Sequence, residues 1–252
     1  MAQKPMNIIL FGETGAGKSS IVNMLSGKTV AKTSNTANGC TPRWSCYRIS
    51  IGGKAHYVYD TVGLNEGDGG TIPNDDAIVQ LYQLLTGLED GISLIIFVMR
   101  GPRMKDASCK NWTLFHDMLC QQRVNASLIV TGLEQEDNMD DWWPENKATF
   151  HKHGVRPHGV AAITATPGKR RGGRCVFQDE FEASKAKVEG LINDYAMPEP
   201  YHIDKAELFK EVTETCCNGG NKNKAEVVRR LANLSNLSYE KAEILAIRLS
   251  DM

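Results

Sequence analysis

Residues 6–26 read MNIILFGETGAGKSSIVNMLS, and this stretch decides the fold. The apolar run at 6–11 predicts a buried strand, and the apolar periodicity of 18–26 predicts a helix. The strand leads directly into a glycine, and the segment that joins strand and helix fits the pattern GxxxxGK(S/T). Glycines let the backbone curl around phosphate oxygens, while N–H groups and the positive end of the helix face the anion. The stretch therefore predicts a phosphate-binding loop.

Two side chains of this loop have expected roles in holding a nucleotide. Lys18 is expected to place a positive charge between the β- and γ-phosphates, and the Ser19 hydroxyl to ligate Mg²⁺. The whole segment is assigned to nucleotide binding: Gly12, Glu13, Thr14, Gly15, Ala16, Gly17, Lys18, Ser19 and Ser20.

Such a loop needs a second anchor for Mg²⁺ near the end of a neighbouring strand. The sequence Asp60-Thr61-Val62-Gly63 follows a predicted strand and fits the pattern DxxG. Asp60 is expected to hold the metal shell, and the Gly63 N–H to meet the γ-phosphate. A hydroxyl that senses the γ-phosphate is expected between the two motifs. Spacing alone does not choose among Thr33, Thr36 and Thr41.

The first 195 residues alternate short apolar runs with helical patterns. This alternation predicts an α/β fold with a doubly wound, mostly parallel sheet. A hairpin around Gly52-Gly53 adds an antiparallel edge. The predicted strands are 6–11, 44–51, 55–60, 92–99, 126–131 and 159–164. The predicted helices are 18–26, 77–88, 107–122, 144–152 and 176–195.

The sequence Met197-Pro198-Glu199-Pro200 breaks this alternation. We therefore expect a nucleotide-binding domain at 1–197 and a small helical extension at 198–252. Residues 203–217 and 223–250 are predicted to be helical, with Ser238 capping the last helix.

Composition excludes several classes of protein. The chain has 252 residues, 41% hydrophobic and 23% charged, with a net charge of −1. These values are ordinary for a globular protein and provide no overall basic field for nucleic acid. No segment is long and apolar enough to predict a membrane span or a signal peptide. The seven cysteines show no metal-ligand spacing. We expect a cytoplasmic protein with reduced thiols.

Taken together, these motifs resemble the small GTP-binding domain of the Ras-like superclass. GETGAGKSS, the polar loop after it and DTVGL are most similar to the immunity-associated GTPases, the GIMAP/IAN family. VTGLEQEDNMDDWWPENKATF and HGVAAITATPGK are similar to predicted fungal members of this group. The resemblance covers about residues 5–195. It implies a Ras-like G domain that binds GTP or GDP with Mg²⁺.

The resemblance also assigns roles to single residues. Thr41 becomes the switch threonine, which coordinates Mg²⁺ only in the triphosphate state. The segment Thr131-Gly132-Leu133-Glu134 takes the guanine-reading position, where the usual pattern is (N/T)KxD. Its lysine is missing and its aspartate is Glu134, with Asp137 as an alternative carboxylate. A carboxylate accepts hydrogen bonds from guanine N1–H and N2–H₂, which adenine lacks. The Ala165 backbone N–H is expected to reach guanine O6.

The same resemblance predicts slow hydrolysis. Leu64 stands where Ras-like enzymes orient the attacking water with a glutamine. Family members often dimerise across the nucleotide, so a nucleotide-dependent homodimer is implied. Arg100 and Arg103 occupy a place similar to an arginine box of the family, and Arg103 is assigned a catalytic role. Lys18, Thr41 and Gly63 complete the catalytic set, and Ser19, Thr41 and Asp60 form the metal set.

Four questions remain open at this level. The degenerate Thr131–Glu134 segment also fits a P-loop enzyme that uses ATP, and Leu64 also fits a nucleotide-held scaffold that never turns over. Trp142-Trp143 either covers the base or anchors a long insertion to the core. The basic cluster within 168–174 either contacts an acidic partner, a phospholipid surface or RNA, or is a solvated loop. The sequence indicates no particular effector protein.

Overall fold

A computed structural model describes residues 4–31, 44–61, 63, 74–102, 106–203, 228–229, 232–233 and 238–250. Several sequence predictions lie outside these residues. They are the roles of Thr33, Thr36, Thr41, Leu64 and Arg103, and nearly all of the helix predicted at 203–217.

The core of the fold is a sheet of six strands in the order β2-β3-β1-β4-β5-β6. Strand β2 pairs antiparallel with β3, and all other pairs are parallel. The strands are β1 (Met6–Gly12), β2 (Trp44–Ile51), β3 (Lys54–Thr61), β4 (Leu94–Arg100), β5 (Ala126–Thr131) and β6 (Val160–Ala162). The predicted doubly wound sheet with an antiparallel edge is confirmed.

Helices cover both faces of this sheet. They are α1 (Lys18–Ser26), α2 (Asn74–Gly87), α3 (Asp106–Trp112), α4 (Trp142–Lys152), α5 (Gln178–Tyr195) and α6 (Tyr239–Ser250). A π-helix, Thr113–Leu119, continues α3, so the single α-helix predicted at 107–122 is wrong in its second half. There the Cys120 N–H donates to the Phe115 carbonyl at 2.9 Å, the wider spacing of a π-turn.

Strand β4 shows why the central strands are apolar throughout. Ile95, Phe97 and Met99 face one core, and Leu94, Ile96 and Val98 face the other. In the first core, the Phe11 ring lies 5.1 Å from that of Phe97 and 4.4 Å from that of Phe115. Burial on both faces favours a continuous apolar run over alternation.

The basic stretch at 168–174 is not a simple loop. It contains an exposed two-stranded hairpin, β7 (Arg170–Arg171) and β8 (Arg174–Cys175), which a Gly172-Gly173 turn connects. Paired glycines favour this kind of tight turn between antiparallel strands.

The last strand of the central sheet, β6, covers only Val160–Ala162 and is shorter than the strand predicted at 159–164.

Residues 197–203 and the described part of helix α6 pack against the same domain. The Met197 N–H donates to the Ser93 carbonyl at 2.8 Å, and Tyr201 forms an antiparallel bridge with Ile92. Helix α6 buries Ala242, Leu245 and Ala246 in the core that α2 lines. The division at residue 197 stays a prediction. Among the helices of the described segments, none is long and apolar enough to cross a membrane.

Helix α6 provides a test of that division. Leu245 is 0% exposed and its neighbour Ile244 is 52% exposed. We expect Leu245→Ala to lower the free energy of unfolding by about 2–4 kcal/mol, because it leaves a cavity in the shared core. Ile244→Ala, the matched control, is expected to change it by less than about 0.5 kcal/mol. Urea denaturation measures both, and an effect of Leu245→Ala as small as that of the control would contradict the packing of α6 in this core.

Candidate functional site

The carboxyl ends of the parallel strands bring the motifs to one edge of the sheet. Along the chain, β1 is followed by β3 on one side and later by β4 on the other. Such a reversal of strand order opens a crevice beyond the strand ends, where α/β proteins bind ligands. In register, Leu10 is opposite Asp60, and Gly12 is opposite Val98.

The phosphate loop enters α1 through a left-handed glycine. Gly17 caps the helix with a φ of 101°. A Cβ on this glycine would also lie 3.2 Å from Cγ2 of Thr131, so the loop packs closely on the end of β5. Positive φ strains every residue with a side chain, which explains glycine here. The loop shape that the sequence predicts is therefore built into the backbone.

The Lys18 side chain is buried within the loop. Its Nζ donates to the carbonyl of Gly12 at 3.1 Å and to that of Glu13 at 3.0 Å. Only 6% of Lys18 is exposed. The loop therefore holds the ammonium group at its own centre, where a phosphate would meet it.

Ser19 and Asp60 meet across the space between α1 and β3. The Ser19 hydroxyl donates to Oδ2 of Asp60 at 2.5 Å. Asp60 is 2% exposed, and its Oδ1 is buried with no hydrogen-bond partner among the described residues. Burial raises the pKa of Asp60, while the Ser19 hydrogen bond and the Lys18 charge oppose that rise. A hydroxyl beside a carboxylate with a free oxygen fits Mg²⁺, which prefers oxygen ligands.

Gly63 lies directly against the phosphate loop. A Cβ on Gly63 would approach the Thr14 backbone nitrogen to 2.5 Å, so only hydrogen fits there. The glycine of the DxxG pattern is therefore adjacent to the loop that the sequence analysis paired it with.

The end of β5 is tied to the phosphate loop by a buried hydroxyl. Thr131 Oγ1 donates to the Ala16 carbonyl at 2.7 Å and approaches the Met99 carbonyl at 3.3 Å. Nearby in sequence, Oε2 of Glu134 is buried and has no hydrogen-bond partner within the described segments. An unpartnered carboxylate oxygen suits an acceptor for a base edge.

The loop that contains Ala165 is held from behind by α5. The Thr164 N–H donates to the Ser184 hydroxyl at 3.1 Å, and Ser184 in turn donates to the Glu180 carbonyl at 2.6 Å. The Thr164 hydroxyl also donates to the Thr166 carbonyl at 3.0 Å, so the backbone is held on both sides of Ala165.

One contact of the loop was missed by sequence reasoning. The buried Ser108 of α3 donates to Oε1 of Glu13 at 2.9 Å. The two residues are 95 positions apart, and a lone serine within a helix carries no signal. Only the tertiary structure reveals that α3 touches the phosphate loop.

The paired tryptophans serve as anchors. Trp142 is 5% exposed, and its Nε1 donates to the Pro102 carbonyl at 3.0 Å. Both indole rings pack edge-on against Phe150, at 5.6 Å and 5.4 Å. These contacts favour the anchoring alternative over the base-covering one.

The chain matches known GTPases in sequence. Residues 7–130 match the family model described as 50S ribosome-binding GTPase. Over 75% of the chain, the sequence is 30% identical to immune-associated nucleotide-binding protein 10 of Arabidopsis thaliana. The match spans 39% of that relative, so the chain covers well under half of its length.

Solved structures share the fold at low sequence identity. Toc33 from Arabidopsis thaliana, in complex with GDP and Mg²⁺, has a TM-score of 0.54 at 18% identity, covering 79% of this chain and 88% of Toc33. A structure from work on the chloroplast translocon components atToc33 and psToc159 has a TM-score of 0.56 at 18% identity. The match covers 75% of this chain and 82% of that structure's chain. For those two components, dimerisation is described as important for GTPase activity.

The matched family model places residues 7–130 in a GTPase domain, and the solved structures share its fold. Among GTPases the chain is related to the immune-associated nucleotide-binding proteins. The resemblance inferred from GETGAGKSS and DTVGL is thereby confirmed.

The Thr131 hydroxyl gives a testable consequence. We expect Thr131→Val to lower the free energy of unfolding by about 1–3 kcal/mol, because the buried Ala16 carbonyl loses its donor. It should also weaken GDP binding, because the loop loosens. Thr131→Ser keeps the hydroxyl and should retain most of both quantities. Urea denaturation and calorimetry measure them, and equal losses in the two variants would contradict this role.

Proposed function

We propose that the protein is a switch that binds GTP and GDP with Mg²⁺ and hydrolyses GTP slowly. The observation that carries the proposal is the Ser19–Asp60 contact at 2.5 Å, with a buried, unpartnered oxygen on Asp60. It joins the two motifs that a nucleotide–Mg²⁺ complex requires. The chain spans only 39% of its relative's length, so the proposal concerns nucleotide binding and hydrolysis and names no effector or pathway.

At the phosphate end, each residue has one proposed task. Lys18 holds the β- and γ-phosphates through its buried ammonium group, and the loop N–H groups hold the remaining oxygens. Ser19, Asp60 and Thr41 hold Mg²⁺, which neutralises phosphate charge when bound. The Gly63 N–H meets the γ-phosphate. Thr41 and Gly63 release their segments after hydrolysis and so report the nucleotide state.

At the base end, Glu134 selects guanine. Its Oε2 is already buried and without a partner in the described part of the chain, so a guanine N–H would satisfy it. Adenine has no matching donors, and the carboxylate would stay unpaired. Thr131, Gly132 and the Ala165 N–H complete this end of the site.

Slow hydrolysis follows from Leu64, which cannot hydrogen-bond a water molecule. We propose that a nucleotide-dependent homodimer raises the rate, with Arg103 stabilising the transition-state charge. The dimerisation described for atToc33 and psToc159 supports this arrangement by analogy. We place this switch in the cytoplasm, with no specific nucleic-acid partner.

Two other functions rest on particular residues. The degenerate Thr131–Glu134 segment favours an ATP-using P-loop enzyme. Leu64 favours a non-hydrolysing scaffold that assembles on nucleotide. Tight ATP binding would support the first, and nucleotide-dependent sedimentation without phosphate release would support the second.

The first test is calorimetric titration of the nucleotide-free protein with GDP, a GTP analogue and ATP, all with Mg²⁺. We expect guanine nucleotides to bind and ATP to bind far more weakly. Lys18→Ala should abolish binding of the GTP analogue, because the loop loses its central charge. The exposed Lys28→Ala is the matched control and should bind as the wild type does. Unchanged affinity in Lys18→Ala would refute the site.

The base contact has its own test. We expect Glu134→Ala to weaken GDP binding by about 10- to 100-fold, the usual loss for a hydrogen bond to a charged group. Its weak affinity for ATP should not change. The exposed Glu136→Ala is the matched control, and Asp137→Ala tests the alternative carboxylate. Loss of GDP affinity in Asp137→Ala alone would transfer the base contact to that residue.

A further inference from the structure

The segment after β4 and the base-reading segment after β5 are interlocked. The Gly101 N–H donates to the Thr131 carbonyl at 2.8 Å. A Cβ on Gly101 would lie 2.7 Å from Cδ2 of Leu133, so the Leu133 side chain packs directly against Gly101. Nε1 of Trp142 donates a hydrogen bond to the Pro102 carbonyl, in the same segment after β4. The backbone of Arg100 is therefore fixed relative to the base-reading segment.

The Arg100 side chain lies across Gly132. Arg100 is opposite Thr131 in the register of β4 and β5. A Cβ on Gly132 would lie 3.2 Å from Cγ of Arg100 and 3.5 Å from its Cζ. Gly132 also has a φ of 78°, which disfavours any side chain. The space that a lysine would enter from position 132 is thus taken by an arginine from the neighbouring strand.

Gly132, which the Arg100 side chain covers, stands in the chain between two residues with proposed roles at opposite ends of the nucleotide. On one side, Thr131 is bonded to the phosphate loop. On the other, Glu134 presents a buried oxygen without a partner in the described residues. The Arg100 side chain is exposed and forms no hydrogen bond or ion pair with another described residue. A guanidinium group is planar, weakly hydrated and able to stack on aromatic faces.

We propose that Arg100 is a base-binding residue whose guanidinium group covers one face of the bound purine, replacing the lysine missing from the base-reading motif. The inference rests on the proposed function, because it places a purine against Glu134. It gives Arg100 a part in affinity that is separate from the transition-state role proposed for Arg103. A stacking arginine acts on the base, so it affects GDP and a GTP analogue alike.

The experiment compares GDP with inorganic pyrophosphate, a probe that has phosphates and no base. Both are titrated with Mg²⁺ into the full chain by calorimetry. Arg100→Ala is expected to bind GDP about 3- to 30-fold more weakly, the range of a cation–π contact. Its affinity for pyrophosphate should equal that of the wild type. Arg48→Ala removes an exposed arginine from β2, at the far edge of the sheet, and serves as the matched control.

A second variant separates stacking from charge. Arg100→Lys keeps the charge and loses the plane, so it is expected to remain at least about 3-fold weaker than the wild type for GDP. Full affinity in Arg100→Lys would assign the effect to charge and overturn the stacking contact.

Other outcomes also decide the matter. Unchanged GDP affinity in Arg100→Ala would overturn the inference while leaving the proposed function intact. Equal losses for GDP and pyrophosphate would place Arg100 at the phosphates and overturn it as well. A wild-type protein that binds pyrophosphate and not GDP would instead refute the proposed function. Unfolding curves for each variant show that the fold is retained.

Discussion

Pairing of β1 with strands on both of its sides is the constraint on which the site depends. Strand β3 pairs with one edge of β1 and β4 with the other, both in parallel. The carboxyl ends of all three strands therefore meet where the phosphate loop begins. That geometry brings Asp60 within 2.5 Å of Ser19, although the residues are 41 positions apart. The same edge receives β5, whose last residue bonds the phosphate loop.

Two carboxylate oxygens at the candidate site are buried without a hydrogen bond, which is an unfavourable arrangement for a polar atom. Oδ1 of Asp60 and Oε2 of Glu134 are both buried without a hydrogen-bond partner among the residues described. A buried polar atom without a partner costs about 1–3 kcal/mol. Burial raises the pKa of Asp60, and this shift is one sign of that cost. A bound nucleotide with its metal would satisfy both atoms, at opposite ends of the ligand. Ligand binding and folding stability are therefore linked at this edge of the sheet.

The segment proposed to contact the base departs from the usual form of that motif. The relationship to immune-associated nucleotide-binding proteins is clear at 30% identity, yet the usual lysine is absent from the segment. Glycine at position 132 lets the backbone adopt a left-handed conformation and lets Arg100 pass over it. Under the proposal above, the lysine missing after β5 is replaced by a side chain from the end of β4. Sequence patterns that consider one segment at a time do not detect such an exchange.

The sequence by itself determined the order of strands and helices through residue 195, the phosphate loop and the DxxG aspartate. These features depend on local periodicity and on short motifs, which neighbouring residues specify. The π-helix after α3, the basic hairpin and the packing of α6 on α2 were decided by tertiary structure. So were the contacts of Ser108 with Glu13 and of Arg100 with Gly132. The packing of α6 and the contact of Ser108 with Glu13 join segments that are far apart along the chain, and the contact of Arg100 with Gly132 joins the ends of two neighbouring strands. Parallel pairing through crossover helices sets such distances only when the whole sheet forms.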